Sequence, residues 1–151
     1  VEEEKLTFSP IEKAEELINS YTDKPRIEVG EPSYIPSQDV LRIPAKERFN
    51  SVEEYYSTLF HEITHSTGHI TRLNRINTTA AFGSEVYSKE ELTAELGNCF
   101  LCGMSGIQNT QKNSVGYIQG WLKALKNDKK LILAASAQAQ KAVDYITKKE
   151  V

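Results

Sequence analysis

The chain has few of the residues that staple small domains, and it has no run that could enter a membrane. It holds only two cysteines in 151 residues, Cys99 and Cys102. That leaves no room for a disulfide framework and points to a reducing, cytoplasmic setting. No apolar stretch approaches the roughly 18 residues that cross a bilayer, so no membrane partner is expected. The opening Val1-Glu2-Glu3-Glu4-Lys5 is acidic and lacks the basic-then-apolar order of a secretory leader. It also lacks an initiator Met, and the expectation is a piece of a longer protein. Positive charge is short as well. A net charge of -3 argues against a dedicated nucleic-acid clamp, which needs a basic face. Arg72 and Arg75 are the local candidates for a smaller basic patch. Hydrophobic content is low at 39%, but 151 residues suffice to bury one core unaided, so a single domain over 1–151 is expected.

Ser9-Pro10 ahead of Ile11, Ala14, Leu17 and Ile18 predicts a capped amphipathic helix, stopped by Thr22 to Pro25. Arg26-Ile27-Glu28-Val29 alternates as a strand. After a turn at Gly30-Glu31-Pro32, Ser33 to Ile35 and Val40 to Ile43 read as two strands joined through Pro36-Ser37-Gln38-Asp39. Ser51-Val52-Glu53-Glu54 is a capping box that opens a long helix, with Gly68 as its terminator. A polar loop follows, from about Thr71 to Tyr87. Ser88-Lys89-Glu90-Glu91 reads as a second capping box, starting a helix that Gly103 and Gly106 close. A further helix runs from about Ser114 to Lys126, and Asp128 caps a last one. Strands come first and helices follow, which is the α+β class.

The chemistry is concentrated in His61-Glu62-Ile63-Thr64-His65, which lies inside the long helix. Four residues turn about 400°, so the two imidazoles share one face, one turn apart, and can reach one ion. Glu62 points about 100° away, outside the ligand row but within reach of a water at the open position. Two neutral nitrogen ligands and an adjacent carboxylate base are what a metal hydrolase needs. The expected ion is Zn²⁺.

A third ligand must come from elsewhere. The pattern HExxHxxGxxH places Gly68 correctly but requires a histidine where Thr71 stands. His69 follows His65 by four, but a helix end at Gly68 removes that register. His69 is therefore expected to line the cleft or bond backbone. Glu91-Leu92-Thr93-Ala94-Glu95 is the better source, since a later helix that supplies a Glu is the gluzincin solution. Glu91 and Glu95 share one face, so spacing alone does not separate them. In gluzincins whose ligand Glu is followed four residues later by an acid, the first binds metal and the second orients a ligand His, so Glu91 is expected to bind metal and Glu95 to orient a ligand imidazole; a second carboxylate on the ion would also cancel its charge. Glu90 fits a solvated acidic first turn. Cys99 and Cys102 read as buried thiols, and Trp121 as core. Tyr117 is a candidate oxyanion stabiliser.

The run His61 to His69 followed by Arg72-Leu73 resembles the metallopeptidase domain of ArdC-type antirestriction proteins. So do Phe82-Gly83-Ser84, Tyr87 with Glu90-Glu91-Leu92 and Ala94-Glu95, and Tyr117-Ile118 with Trp121-Leu122. The tail from Ala134 to Tyr145 and the upstream Tyr34, Asp39, Pro44, Phe49 and Tyr55-Tyr56 match too, so the likeness spans nearly the whole chain. The resemblance implies a zincin-like fold: a small N-terminal sheet, an active-site helix beneath its edge strand, and a mostly helical C-terminal part. It also implies a bacterial protein of plasmids, conjugative elements or phages that shields incoming DNA from restriction. Such proteins carry a separate N-terminal domain that binds single-stranded DNA. That domain has no counterpart here, so binding of nucleic acid by this chain alone is expected to be weak.

The expected function is zinc-dependent hydrolysis of a peptide or protein substrate, paired with the edge strand at about Val40 to Ile43. His61, His65 and Glu91 would hold the ion, and Glu62 would act as base. The alternative is a non-enzymatic, zinc-containing binding module acting in DNA protection. An intact Glu62 favours the enzyme, because a structural site needs no such base.

Overall fold

A computed structural model describes residues 8–76, 84–107 and 111–148. The expectations for Phe82 and Gly83 lie outside them. Among the described residues, five α-helices and a three-stranded sheet follow in the order α1 (Phe8–Ser20), β1 (Arg26–Val29), β2 (Ser33–Ile35), β3 (Val40–Ile43), α2 (Val52–Ser66), α3 (Glu85–Ser105), α4 (Gln111–Ala124) and α5 (Lys129–Thr147). A 3₁₀ turn, Lys46–Arg48, precedes α2. The fold is the small sheet and mostly helical body that the sequence predicts.

The sheet order is β1-β3-β2. β3 runs parallel to β1, with Arg26 opposite Val40 and Val29 opposite Ile43, and antiparallel to β2, with Tyr34 opposite Leu41. The strand at Val40 to Ile43 is therefore central, and its backbone groups are engaged on both sides. This corrects the expectation that it forms the edge and takes a substrate strand. Burial gives the physical reason. Val40, Leu41 and Ile43 are the apolar strand residues that must be covered, whereas Ile27 and Val29 of β1 remain exposed. Asp39 closes the β2–β3 turn at φ 52° and accepts a hydrogen bond from the Tyr34 hydroxyl at 2.6 Å.

Tyr56, Leu59, Phe60 and Ile63 form the buried face of α2. They pack against Leu17, Ile18 and Tyr21 from the α1 region and against Leu41 and Ile43 of the sheet. Ser51 caps α2 through the Glu54 backbone N–H, as the capping box predicts. The helix ends at Thr67, which is right-handed, so Gly68 is not the left-handed terminator expected. Its role is close approach. The chain hooks back so that Arg75 and Ile76 donate their N–H groups to the Gly68 carbonyl at 2.9 and 2.8 Å. A Cβ on Gly68 would stand 2.6 Å from Ile76 Cγ1.

Helix α3 crosses α2 at a second close approach, where a Cβ on Gly97 would lie 2.5 Å from Thr64 Cγ2. The helix begins a turn earlier than the sequence predicts. Ser84 is the N-cap, accepting from the Tyr87 N–H, and the Ser88 N–H already donates to the Ser84 carbonyl. Ser88 is thus a buried interior residue. Gly106, at φ 82°, closes the helix in the left-handed cap its lack of Cβ permits. Asp128 caps α5 as expected. Leu92, Leu125 and Ala135 form a smaller second core, against which Ile118, Trp121 and Leu122 of the α4 segment pack.

Candidate metal centre

The α2–α3 crossing sets the site. His61 and His65 project from α2, and Glu90, Glu91 and Glu95 from α3. With nothing larger than hydrogen at Gly97, the α3 backbone comes close enough for its carboxylates to reach both imidazoles. The His61 Nε2 lies 3.4 Å from one Glu91 oxygen, and the His65 Nε2 lies 2.9 Å from the other. One ligand atom from each of these residues falls within 4.8 Å of the others. Among the described residues this is the group arranged to hold an ion.

The opposite ring nitrogens are engaged too. His61 Nδ1 is 2.8 Å from a Glu95 oxygen, and His65 Nδ1 is 2.8 Å from a Glu90 oxygen. An Nδ1–H donated to a carboxylate leaves the Nε2 lone pair facing inward, which is the tautomer an ion requires. Two imidazoles and a carboxylate, each imidazole held from behind by its own carboxylate, fit a divalent ion by chemistry and by geometry.

Glu95 is held in turn by the Asn98 amide, which donates at 3.1 Å. Glu90 is held by Arg75, whose Nε and Nη2 donate at 2.6 and 2.9 Å. Arg75 also donates to the Thr64 carbonyl and to the Thr67 hydroxyl, tying the hook after α2 to the helix itself. Sequence reasoning missed Glu90 and Arg75. Once α3 starts at Glu85, Glu90 sits in the helix interior, not in a solvated first turn. Arg72 is likewise committed, with a bidentate pair to Asp39 at 2.8 and 3.0 Å and a further bond to the Ser66 carbonyl. Neither arginine is a free basic patch.

Charge follows this geometry. Burial opposes a charged His61, but the hydrogen bonds to Glu91 and Glu95 outweigh it and raise the pKa to about 8. Burial likewise opposes a charged His65, but Glu90 and Glu91 raise it to about 10. Burial would raise all three acids, yet the histidines and, at Glu90, Arg75 hold them below the usual carboxylate range. Glu62 behaves in the opposite way. It is buried, and desolvation lifts its carboxyl above the ordinary value against the pull of His65 and His61.

The site opens on a cleft of about 480 Å³, lined in part by His61, Glu62, Glu91, Glu95, Tyr117 and Trp121. Tyr117, expected as an oxyanion donor, stands on this wall with 61% exposure. Trp121 packs in the second core and also faces the cleft. His69 is not among the ligand atoms. Its Nδ1 accepts the Thr71 N–H at 3.2 Å. Cys102 is buried, its thiol donating to Asn98 Oδ1 at 3.2 Å, and Cys99 is half-buried.

A family model described as a zincin-like metallopeptidase matches residues 12–138. This chain belongs to that family. The zincin-like domain is 37% identical over 149 residues to a DNA primase TraC of Escherichia coli, covering 97% of this chain and 14% of the primase. It is also similar to the crystal structure of the antirestriction protein ArdC from plasmid R388. The Mn(II)-bound form gives a TM-score of 0.72 at 38% identity, covering 90% of this chain and 51% of ArdC. The metal-free form gives 0.69 at 37% identity, covering 49% of ArdC. The chain therefore spans about half of ArdC and a small part of TraC.

Proposed function

We propose that this domain is a zinc-dependent, peptidase-type hydrolase within an antirestriction-like protein of a mobile element. The observation that carries the reading is the convergence of His61 Nε2, His65 Nε2 and the Glu91 carboxylate, with both Nδ1 atoms anchored by Glu95 and Glu90. His61, His65 and Glu91 would hold the divalent ion. When bound, the ion polarises the scissile carbonyl and acidifies water. That the similar ArdC structure is Mn(II)-bound supports a divalent ion as the kind of metal this domain takes.

Glu62 lines the same cleft and is the general base. It takes a proton from water as the oxygen attacks the carbonyl carbon. It then delivers that proton to the leaving amine as the C–N bond breaks. A carboxyl raised by burial suits both halves of that exchange. The Tyr117 hydroxyl is the donor available on the facing wall for the developing oxyanion.

Digestion of an unbiased peptide library by the zinc-loaded chain and by its Glu62→Gln variant tests the reading. Cleavage by the former, reduced about 10²–10⁴-fold in the latter, is expected. Metal binding with no turnover on any peptide would favour the binding module instead.

A further inference from the structure

The cleft extends well past the candidate metal centre, along α2. Glu54, Ser57, Thr58, His61 and Glu62 all line it. Their spacing is that of one helical face, so the groove follows the helix axis. Glu54 stands seven residues before His61, which is about 10 Å along a helix, and an extended peptide covers that distance in about three residues.

Glu54 is unusual in what it does not do. In a reciprocal capping box its carboxylate would reach back to the Ser51 backbone N–H. Only half of the box forms: the Glu54 N–H donates to Ser51 Oγ at 3.2 Å, while the Glu54 carboxylate takes no hydrogen bond and no ion pair among the described residues. It faces the cleft unpaired, in the first turn of α2. The described lining adds Glu91 and Glu95 and aromatic walls at Phe49, Tyr117 and Trp121, and includes no Lys or Arg. A bound divalent ion would offset only part of that negative charge. A carboxylate floor with aromatic sides favours a cation, through charge and through the ring faces.

We propose that the Glu54 end of the cleft is a subsite for a cationic side chain, so that the domain takes peptide segments bearing Lys or Arg about three residues from the bond at the metal centre. This rests on the reading of the cleft as a peptide site. It names the substrate class of that site.

The test uses fluorescein-labelled peptides identical except for Lys, Arg, Gln or Glu at that position, titrated against the zinc-loaded chain carrying Glu62→Gln to keep them intact. The Lys and Arg peptides should bind about three- to tenfold tighter than the Gln peptide, the range of a partly exposed charged contact, with the Glu peptide weakest. Adding Glu54→Gln should bring Lys and Gln level, with metal content and melting temperature unchanged. Raising the salt should shrink the preference. Equal affinity for Lys and Gln, a preference that survives Glu54→Gln, or no binding of any peptide would overturn the subsite. Cleavage with Glu62 intact separates the two readings. Cleavage without a cationic preference overturns the subsite alone. Selective binding without cleavage overturns the hydrolase alone.

Discussion

Glu90 is the residue whose removal should be felt most widely. It accepts from Arg75 Nε at 2.6 Å and Nη2 at 2.9 Å, and meets His65 Nδ1 at 2.8 Å. Arg75 is only 7% exposed, so Glu90→Ala leaves a buried guanidinium with just the Thr64 carbonyl and Thr67 hydroxyl as acceptors. Stripping one partner from a buried pair costs about 3–5 kcal/mol. The two surviving acceptors place this case near about 3 kcal/mol, or roughly 6–12 °C of melting temperature for a domain this size. Independently, His65 loses the partner that fixes its tautomer, which should weaken metal binding about 10–100-fold. Competition against a chromogenic chelator reads the second effect, and thermal unfolding of the metal-free protein reads the first. Glu95→Ala is the control. It should weaken the ion by a similar factor with a smaller loss of stability, because its other partners, the Asn98 amide and the Ser114 hydroxyl, are neutral. The double variant Glu90→Ala/Arg75→Ala should recover part of the stability lost in Glu90→Ala. Wild-type affinity and melting temperature in Glu90→Ala would refute the reasoning.

Metal binding should be strongly proton-linked. With pKa values of about 8 and 10, both imidazoles are protonated at pH 7 in the metal-free protein, so loading should release about two protons, against about half a proton for a pair at 6.5. The sign is that affinity climbs as pH rises through these raised values. Calorimetry in buffers of different ionisation enthalpy measures the release, and half a proton or less would contradict it. The same raised values stabilise the metal-free fold fully below about pH 6.5, a contribution lost as pH passes about 8 and then about 10. The depressed acids Glu90, Glu91 and Glu95 contribute above about 4.5 and lose that contribution in acid. Gly97→Ala should cost about 1–3 kcal/mol, since Thr64 is fully buried and β-branched and cannot retreat from a Cβ 2.5 Å away. Denaturant unfolding measures this, and an unchanged midpoint would show that the two helices are not held at contact.

Much of the site was legible because it is written in short-range helical spacing. His61 with His65, and Glu91 with Glu95, are each one turn apart, and each pair had to share a face. The structure brings the two faces together. Glu90 escaped because the start of α3 turns on a choice between Ser84 and Ser88, both plausible caps. Choosing Ser88 puts Glu90 in solvent, when it is in fact a half-buried partner of His65. Arg75 escaped because its target lies across a hook held by backbone bonds to Gly68, and no spacing rule reveals that. The position of β3 was hidden for a similar reason. Three short strands permit several orders, and which one is central depends on what covers Val40 and Leu41 from elsewhere in the chain.

The most direct test of the metal centre is elemental analysis of the purified chain after exhaustive dialysis, alongside His61→Ala, His65→Ala and Glu91→Ala. About one divalent ion per chain in the wild type, and loss of it in all three variants, is the expected result. Stoichiometric metal retained by any two of them would contradict the assignment of these residues as the ligands.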